Sequence, residues 1–305
     1  MSCNEIKTPV SSENRLAVVP HVSGAEPRSR VMICLMTYNC QPMSKRCIEA
    51  LFNHTDEPFD LFLMDNGSEA PTQRWLDKLD GLRFKNGTTL TIIRNPTNIG
   101  ITPGLIVLQD LRKPGQHMLR MDNDMLVPWD PSWLTTLVEI LENNTESIRV
   151  IGYPSQPTKL FFDTFEPVII GLAKPLTADG RMTVPGWKTQ RLMGMPIHHS
   201  KLMDVFKYPT GMRPYGEGNE GAVAAFCAEH GILSRYIRPQ SFAEWLDSND
   251  SVVAMVPEYL EYHNWKLSVF NGITSGKPWT PYKPTKVGED AGPILIRPEV
   301  LVKGG

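Results

Sequence analysis

The sequence predicts an α/β fold with a mostly parallel central sheet flanked by helices, followed by an irregular second half. In the first half of the 305 residues, short apolar runs of strand length alternate with amphipathic helical patterns, as they do in βαβ units. Each apolar run is followed at once by a polar cluster, which is where a parallel sheet places its binding loops. Beyond residue 150 the chain carries many Pro, Gly and Thr residues, which favour short strands and long loops.

Four apolar runs are predicted strands, and the segments between them are predicted helices. The runs are VMICLM (31–36), DLFLM (60–64), LTII (90–93) and HMLRM (117–121). The segment after Pro42 has helical periodicity, and its apolar face consists of Cys47, Ile48, Leu51 and Phe52.

Two helix starts are predicted from capping residues. Thr102 is expected to be the N-cap, and Pro103 the first residue, of the helix that follows the third strand. Asp130 and Pro131 have the same arrangement before the next helix, whose apolar stripe consists of Trp133, Leu134, Leu137, Val138 and Leu141.

The charge balance does not favour a protein that binds nucleic-acid phosphates over its whole surface. Lys and Arg total 31 against 33 Asp and Glu, for a net charge of −2, although a local basic groove stays open as an interpretation. The five cysteines are odd in number and lack paired ligand spacing. Because Cys34 and Cys47 stand among apolar residues, we expect buried thiols in a reducing compartment.

Membrane and export signals are missing from the sequence pattern. No apolar run approaches the roughly 20 residues that a membrane-spanning helix needs. The first residues, MSCNEIKTPVSSENR, lack the apolar core of a secretory signal. We therefore expect a soluble, intracellular protein of the cytoplasm.

Four polar clusters follow the four predicted strands: TYN (37–39), DNGS (65–68), NPTNIG (95–100) and DND (122–124). Because the carboxyl ends of parallel strands meet at one edge of the sheet, these clusters are expected to form one site. Each cluster also has a simpler interpretation as a turn, and the NG pair could close a hairpin. The helical pattern of SEAPTQRWLDKL (68–79) directly after that pair argues against a hairpin.

In this order, the clusters resemble those of family 2-type glycosyltransferases with the GT-A fold, over about residues 31 to 265. The resemblance implies that the TYN cluster lies against a donor nucleotide and that Asp65 of the MDNGS segment reads its base. The segment TNIGITPGL matches an N-x-G element of the family. The donor-nucleotide residues implied are Thr37, Tyr38, Asn39, Asp65, Asn66, Asn98, Gly100 and Asp122.

The DND cluster matches the DxD motif of such enzymes. A nucleotide-sugar donor has a diphosphate leaving group, and Mn²⁺ or Mg²⁺ neutralises its charge as the glycosidic bond breaks. Hard cations prefer oxygen ligands and keep room for phosphate and water, so one or two carboxylates suffice. The resemblance therefore implies metal binding by Asp122 and Asp124, with Asp122 also directed toward the ribose or the sugar of the donor.

An inverting transfer needs a carboxylate that removes the proton of the acceptor hydroxyl. The family usually supplies it as the Asp of a Glu-Asp pair at the start of a late helix that ends at Gly. Here YGEGNEGAVAAFCAEHG has Asn219 and Glu220 at those positions, and its helical pattern ends at Gly231. The resemblance points to Glu220 as the base, with Glu217 as the alternative. Both carboxylates could instead simply stabilise a helix N-terminus.

Histidines are weaker candidates for the metal site. His263 in EYHNW matches the position of a histidine that, in relatives, completes the metal site or contacts the diphosphate; a packed histidine is the other interpretation. His198 and His199 are adjacent in a predicted strand and would face opposite sides of the sheet, so we interpret them as non-ligands.

The predicted organisation has four parts. They are an N-terminal arm (1–29), a nucleotide-sugar-binding half of the GT-A domain (30–150), an acceptor and catalytic half (151–271) and a C-terminal tail or lid (272–305). The arm is rich in Ser, Pro, Glu and Asn, and the tail is rich in Pro, Gly and Lys.

The predicted function is a metal-dependent, inverting transfer of sugar from a nucleotide-diphosphate donor, a UDP-sugar in the first instance, to an acceptor hydroxyl. The acceptor stays open between a saccharide, a lipid-linked sugar, a protein and, for a phage-type enzyme, a hydroxymethylated DNA base. A nucleotidyltransferase is the first alternative, but TYNCQPMSKR lacks the Gly-rich, Arg-containing loop expected after its first strand. A degenerate transferase domain that only binds is the second, and the altered Glu-Asp pair favours it.

Overall fold

The protein is described here by a computed structural model. The residues that the structure describes are 29–39, 41–128, 130–143, 148–152, 169–170, 195–210, 219–237, 244–245 and 292–302. The strands are β1 Val31–Thr37, β2 Phe59–Asp65, β3 Thr89–Arg94, β4 His117–Met121, β5 Met125–Leu126, β6 Ile148–Gly152, β7 Ile169–Ile170, β8 Ile197–His198, β9 Leu233–Ile237 and β10 Glu244–Trp245. The helices are α1 Gln41–Asn53, α2 Ala70–Asp77, α3 Ile101–Asp110, α4 Trp133–Asn143, α5 Ser200–Val205 and α6 Asn219–Glu229.

A mostly parallel sheet forms the centre of the molecule, with strand order β3-β2-β1-β4-β8-β6-β9-β7. Strand β8 is antiparallel to both of its neighbours, and the other pairs are parallel. A separate two-stranded ribbon joins β5 to β10 directly after the DND turn. The predicted fold class, α/β with a mostly parallel sheet flanked by helices, is confirmed.

Burial explains why the first strands read as continuous apolar runs. Strands β1, β2 and β4 have helices on both faces and are buried along almost their whole length, whereas β3 lies at the sheet edge and is partly exposed. Alternate residues of β1 enter different layers. Ile33 and Leu35 pack with α1, α2 and α4, while Met32 and Cys34 pack with α3, α5 and α6.

The register aligns the carboxyl ends of the strands. Thr37 pairs with Asp65, and Asp65 pairs in turn with Arg94, so the ends of β1, β2 and β3 are level. Strand β2 runs parallel to β3, and α2 lies between them. The NG pair at residues 66–67 therefore does not close a hairpin, and the prediction of a helix after it is confirmed.

Two helix starts differ from the predicted ones. Helix α3 begins at Ile101, and its N-cap is Gly100 with φ +87°, so Thr102 lies inside the first turn. The cause is the amide of Gly100, which donates to Asn98 Oδ1 and turns the chain before any threonine cap can form. The predicted N-cap at Thr102 is therefore wrong.

Helix α4 begins at Trp133, later than its predicted start. The carboxylate of Asp130 accepts hydrogen bonds from the amide and the hydroxyl of Ser132, which makes a turn ahead of the helix. The first bond with helical spacing runs from Thr136 N to Ser132 O. Asp130 thus closes the turn that precedes the helix, and Ser132 occupies the capping position.

The C-terminal segment 292–302 packs far from the polar clusters. Its backbone bonds to Asn53 at the end of α1 and to the turn around Phe84 that precedes β3. Both lie at the edge where the strands begin, opposite the edge where they end. The remainder of the predicted tail or lid lies outside the described residues.

Cys34, Cys47 and Cys227 are buried, as predicted for the first two. Cys3 and Cys40 lie outside the residues that the structure describes. Within the described ranges, no helix combines the length and apolarity needed to cross a membrane.

Candidate functional site

Asn66 ties together the loops that follow β2 and β3. Its Nδ2 donates to Asn98 Oδ1 at 2.9 Å and to Gly100 O at 3.2 Å. Its Oδ1 accepts from Asn95 Nδ2 at 3.1 Å and from the Ile99 amide at 3.0 Å. Both ends of the amide are therefore engaged by the protein. Asn66 therefore affects a ligand indirectly, because it fixes the positions of the loops.

Gly67 lets the DNGS turn approach the third loop. Its φ is +80°, and a Cβ there would lie 2.4 Å from the carbonyl carbon of Thr97 and 2.6 Å from the amide nitrogen of Asn98. These are backbone atoms that cannot rotate away, so a side chain cannot be accommodated. The NG pair is thus required by close contact between loops.

Asp65 ends β2 with a buried carboxylate whose two oxygens differ. Oδ1 accepts from the Ser68 amide at 3.0 Å. Oδ2 has no hydrogen-bond donor among the described residues, and the nearest cation, Arg94 Nη1, is 3.8 Å away. Burial raises the pKa of Asp65, although Ser68 and Arg94 oppose that effect. A buried, unsatisfied acceptor at an open sheet edge suits an N–H group of a ligand.

Asn39 lies beside Asp65 in a conformation that few residues adopt. Its φ is +54°, in the left-handed region where Asn is tolerated. The Asn39 amide donates to Ser68 Oγ at 3.0 Å, and Asn39 Oδ1 accepts from the Glu69 amide at 2.7 Å. Nδ2 of Asn39 is buried and has no acceptor in the described part of the chain. An unused donor and an unused acceptor thus flank Ser68.

Tyr38, in the loop that follows β1, lies beside the loop that follows β3. Burial and the Glu69 carboxylate raise the pKa of its phenol, while the neighbouring side chain of Asn98 opposes the rise. The TYN, DNGS and NPTNIG clusters are therefore brought together, as predicted for one edge of the sheet.

The DND turn is anchored to β1 and α1 through its middle residue. Asn123 Nδ2 donates to Ser44 Oγ at 3.1 Å, and Ser44 Oγ is 2.6 Å from Thr37 Oγ1. This leaves the two flanking carboxylates for other contacts. The side chain of Asp122 is partly exposed, whereas Asp124 is buried.

Arg120, which the sequence analysis did not identify, connects the DND turn to α6. Its guanidinium is buried; Nη2 donates to Asp122 Oδ1 at 2.7 Å and Nη1 donates to Glu220 Oε1. Burial alone would lower the pKa of Arg120, but Asp122 and Glu220 outweigh it and raise the pKa, so the side chain stays charged. The signal was present in HMLRM, because an arginine in an apolar strand needs a buried partner.

Glu220 stands in the first turn of α6, and the end of that helix fixes its direction. The amide of Ile232 bonds to Cys227 O at 2.8 Å, the amide of Gly231 bonds to Ala228 O at 3.4 Å, and Gly231 has φ +65°. This is a Schellman arrangement, and the predicted helix stop at Gly231 is confirmed. Glu217 lies outside the described residues.

The histidines near β8 have structural contacts. Nδ1 of His198 lies 3.1 Å from Met118 O, and burial lowers the pKa of His198 to about 4. Nδ1 of His199 accepts from the Lys201 amide and caps α5. His263 lies outside the residues that the structure describes.

The donor set of the DND turn fits a hard cation that shares its coordination with a ligand. Among the described residues, no three His, Cys, Asp or Glu side chains converge into a complete metal site. The turn is nevertheless electronegative: besides burial, Asp124 and then Asp122 raise the pKa of the neighbouring Cys47 thiol. Mg²⁺-like ions are commonly held by one or two carboxylates plus phosphate and water.

Comparison with known proteins places the chain among sugar transferases. Residues 32–181, roughly half of the chain, match the family described as Glycosyl transferase family 2. No curated protein sequence matches the chain.

Similar solved structures are distant in sequence. TarS of S. aureus (residues 1–349) has a TM-score of 0.49 and 14% identity over 74% of this chain and 64% of that chain. The mannosyltransferase PcManGT from Pyrobaculum calidifontis, in complex with GDP-Man and Mn²⁺, has a TM-score of 0.47 and 16% identity over 74% of this chain and 58% of that chain. GalNAc-T7 with UDP, GalNAc and Mn²⁺ has a TM-score of 0.49 and 13% identity over 71% of this chain and 43% of that chain. This chain thus spans less than two thirds of each.

The family match covers all four polar clusters, from TYN at 37–39 to DND at 122–124. The resemblance inferred from those clusters is therefore confirmed. Residues 32–181 of the chain match the model of glycosyl transferase family 2, which confirms the predicted enzyme class, a glycosyltransferase.

Proposed function

We propose that the protein is a metal-dependent, inverting glycosyltransferase that moves a sugar from a UDP-sugar to an acceptor hydroxyl. The observation that carries the proposal is the buried Oδ2 of Asp65, which has no hydrogen-bond partner among the described residues and lies on loops that also anchor the DND turn. Thr37 binds the DND turn through Ser44, and two residues later Asn39 binds Ser68 beside Asp65. The end of β1 thereby supports both Asp65, which is proposed to read the base, and the DND turn, which is proposed to lie beside the diphosphate.

The base preference is argued from the unused atoms at Ser68. Uracil presents one imino N–H between two carbonyl oxygens, which suits the Asp65 Oδ2 acceptor and the Asn39 Nδ2 donor. Guanine presents two adjacent donors, which call for both oxygens of a carboxylate, and Asp65 Oδ1 is already bonded to Ser68. Thr37, Tyr38, Asn98 and Gly100 shape the same loops and complete the proposed nucleotide site, with Asn66 supporting it from behind.

Asp124 and Asp122 are the residues proposed to hold Mn²⁺ or Mg²⁺. Because Asp122 Oδ1 is bonded to Arg120, Asp122 offers its second oxygen, to the metal or to the donor ribose. When bound there, the cation supplies positive charge that stabilises the departing diphosphate. His263 stays a prediction as an additional ligand.

Glu220 is the proposed base, and Glu217 is the alternative. The carboxylate takes the proton of the acceptor hydroxyl while the acceptor oxygen attacks the anomeric carbon. A new carbon–oxygen bond forms as the bond to the phosphate oxygen breaks, and its electron pair leaves with the nucleoside diphosphate. Attack from the face opposite the leaving group inverts the anomeric configuration. The acceptor class stays open between saccharide, lipid-linked sugar, protein and modified DNA base.

A screen of nucleotide-sugars for hydrolysis, with Mn²⁺ and with EDTA, tests the proposal. We expect UDP-sugars to be hydrolysed only with metal, and acceptor trials would then use the best donor. Release of pyrophosphate from a nucleoside triphosphate and a sugar phosphate would instead indicate a nucleotidyltransferase. Binding of UDP with Mn²⁺ but no turnover of any donor would indicate a binding module.

A further inference from the structure

Arg120 lies between the two functional halves that the proposed function requires. Asp122 follows β4, and Glu220 lies in the first turn of α6, 100 residues after Arg120. The same guanidinium donates to both carboxylates through different nitrogens. Glu220 thus reaches the DND turn through one side chain.

We propose that Arg120 is a positioning residue that couples occupation of the donor site at Asp122 to the orientation of the base Glu220. The inference rests on the proposed function and adds a residue to it. Arg120 itself contacts neither donor nor acceptor in this account. It acts by holding two carboxylates that do.

The surroundings of Arg120 leave it little freedom. Its backbone belongs to a central strand that pairs with β1 at Cys34, and its amide bonds to Pro196 O at 3.1 Å. Its side chain is only 6% exposed, so water cannot replace a lost carboxylate at low cost. A change at one carboxylate is therefore transmitted to the other as a change in the position or charge balance of the guanidinium.

Charge makes the coupling reciprocal. Arg120, Asp122 and Glu220 carry one positive and two negative charges in a mostly buried cluster. A cation and a diphosphate beside Asp122 alter how strongly that carboxylate holds Arg120, which alters the hold of Arg120 on Glu220. By linkage, neutralising Glu220 must then change the affinity of the donor site.

A double-mutant cycle on UDP binding tests this without relying on turnover. Dissociation constants of UDP in the presence of Mn²⁺ are measured by calorimetry for the unsubstituted protein, Glu220→Gln, Arg120→Gln and the double variant. We expect Glu220→Gln to shift the constant by about threefold or more when Arg120 is present, and by less than about 1.5-fold when it is absent. Equal shifts in both backgrounds would overturn the coupling.

Arg120→Gln can fail to fold, because two partly buried carboxylates lose their counter-charge. Arg120→Lys keeps that charge but has a point-like ammonium in place of the fork, so it cannot hold both carboxylates as the guanidinium does. In the same cycle we expect Arg120→Lys also to remove the effect of Glu220→Gln. A persistent effect in the Lys background would contradict the proposal.

A second arginine provides the matched control. Arg112 is equally buried, at 7% exposure, and pairs with Asp204 rather than with site residues. We expect Arg112→Lys to leave the UDP constant and the effect of Glu220→Gln unchanged, and Arg120→Lys to lower the kcat of transfer more than it raises the donor KM. If Arg112→Lys changed UDP binding, the effect of Glu220→Gln and kcat as much as Arg120→Lys does, Arg120 would have only a general structural role. If the unsubstituted protein binds no UDP, the proposed function itself is wrong, and the coupling with it.

Discussion

The guanidinium of Arg120 donates a hydrogen bond to Glu220, which lies 100 residues further along the chain. That bond fixes the N-terminus of α6 over the carboxyl end of β4, next to the DND turn. The buried side chain of Arg120 therefore contacts both Glu220 and Asp122, and the two carboxylates can serve one reaction although they belong to different halves of the sequence.

Replacing Asp124 by Ala should abolish metal-dependent donor hydrolysis. The carboxylate is proposed to hold the cation, and we expect a loss of about 100-fold or more because charge stabilisation of the leaving group is lost. The measurement is the rate of UDP-sugar hydrolysis at saturating Mn²⁺. Asp110→Ala, at an exposed position at the end of α3, is the control and should keep full activity. Unchanged hydrolysis in Asp124→Ala would refute its metal role.

Replacing Glu220 by Gln should stop transfer while leaving UDP binding within about tenfold. A neutral amide cannot take the acceptor proton, and loss of a general base costs about 10²–10⁴-fold. Transfer rates and UDP binding are measured on the same preparation. Glu229→Gln, at the exposed other end of α6, should be fully active. Transfer that persists in Glu220→Gln would move the base to Glu217, to be checked with Glu217→Gln.

Replacing Asp65 by Asn should stabilise the fold and weaken UDP binding. The pKa of Asp65 is raised by burial, so its ionised form is disfavoured in the folded protein. The stability that such a group gives is present at low pH and is lost as the pH rises through its folded pKa. At neutral pH the ionised group is therefore a cost, and Asn removes it. Thermal unfolding at pH 7 and UDP calorimetry measure the two effects.

The raised pKa of the Asp65 carboxylate predicts how UDP binding depends on pH. The ionised form accepts the imino N–H, so affinity should fall as the pH decreases toward the raised pKa of Asp65. The protein and Asp65→Asn are compared between pH 7.5 and pH 5 by calorimetry. The part of the pH dependence that Asp65 causes should be missing in Asp65→Asn. Identical profiles for both proteins would exclude Asp65 from the base contact.

Replacing Gly67 by Ala should destabilise the protein strongly. Both the positive φ and the close approach to Thr97 oppose a side chain, and we expect a loss of about 3 kcal/mol or more in the free energy of unfolding. Gly87→Ala is a matched control, because its φ is +87° but nothing lies within 4 Å of the added Cβ. That control should cost about 1–2 kcal/mol. Urea unfolding measures both, and equal losses would mean that the contact with Thr97 carries no energy.

The fold of the first half could be predicted because its signals are local. Strands β1, β2 and β4 are buried on both faces and must be apolar along their length, and Cys47, Ile48 and Leu51 recur at helical spacing in α1. The polar clusters could also be placed at one edge, since parallel strands end on the same side. The start of α3 could not, because a bond between Gly100 and Asn98 replaced the expected threonine cap.

What the sequence by itself determined is the set of residue types at the ends of four strands and hence the resemblance to a family. What the tertiary structure decided is how those residues divide their work. Asn66 is engaged by neighbouring loops, Asp65 keeps one oxygen without a hydrogen-bond partner in the part of the chain that the structure describes, and Arg120 joins Asp122 to Glu220. The physical reason is that hydrogen bonds and ion pairs are formed between side chains adjacent in space. Because Arg120 and Glu220 are 100 positions apart, no local sequence pattern predicts their contact.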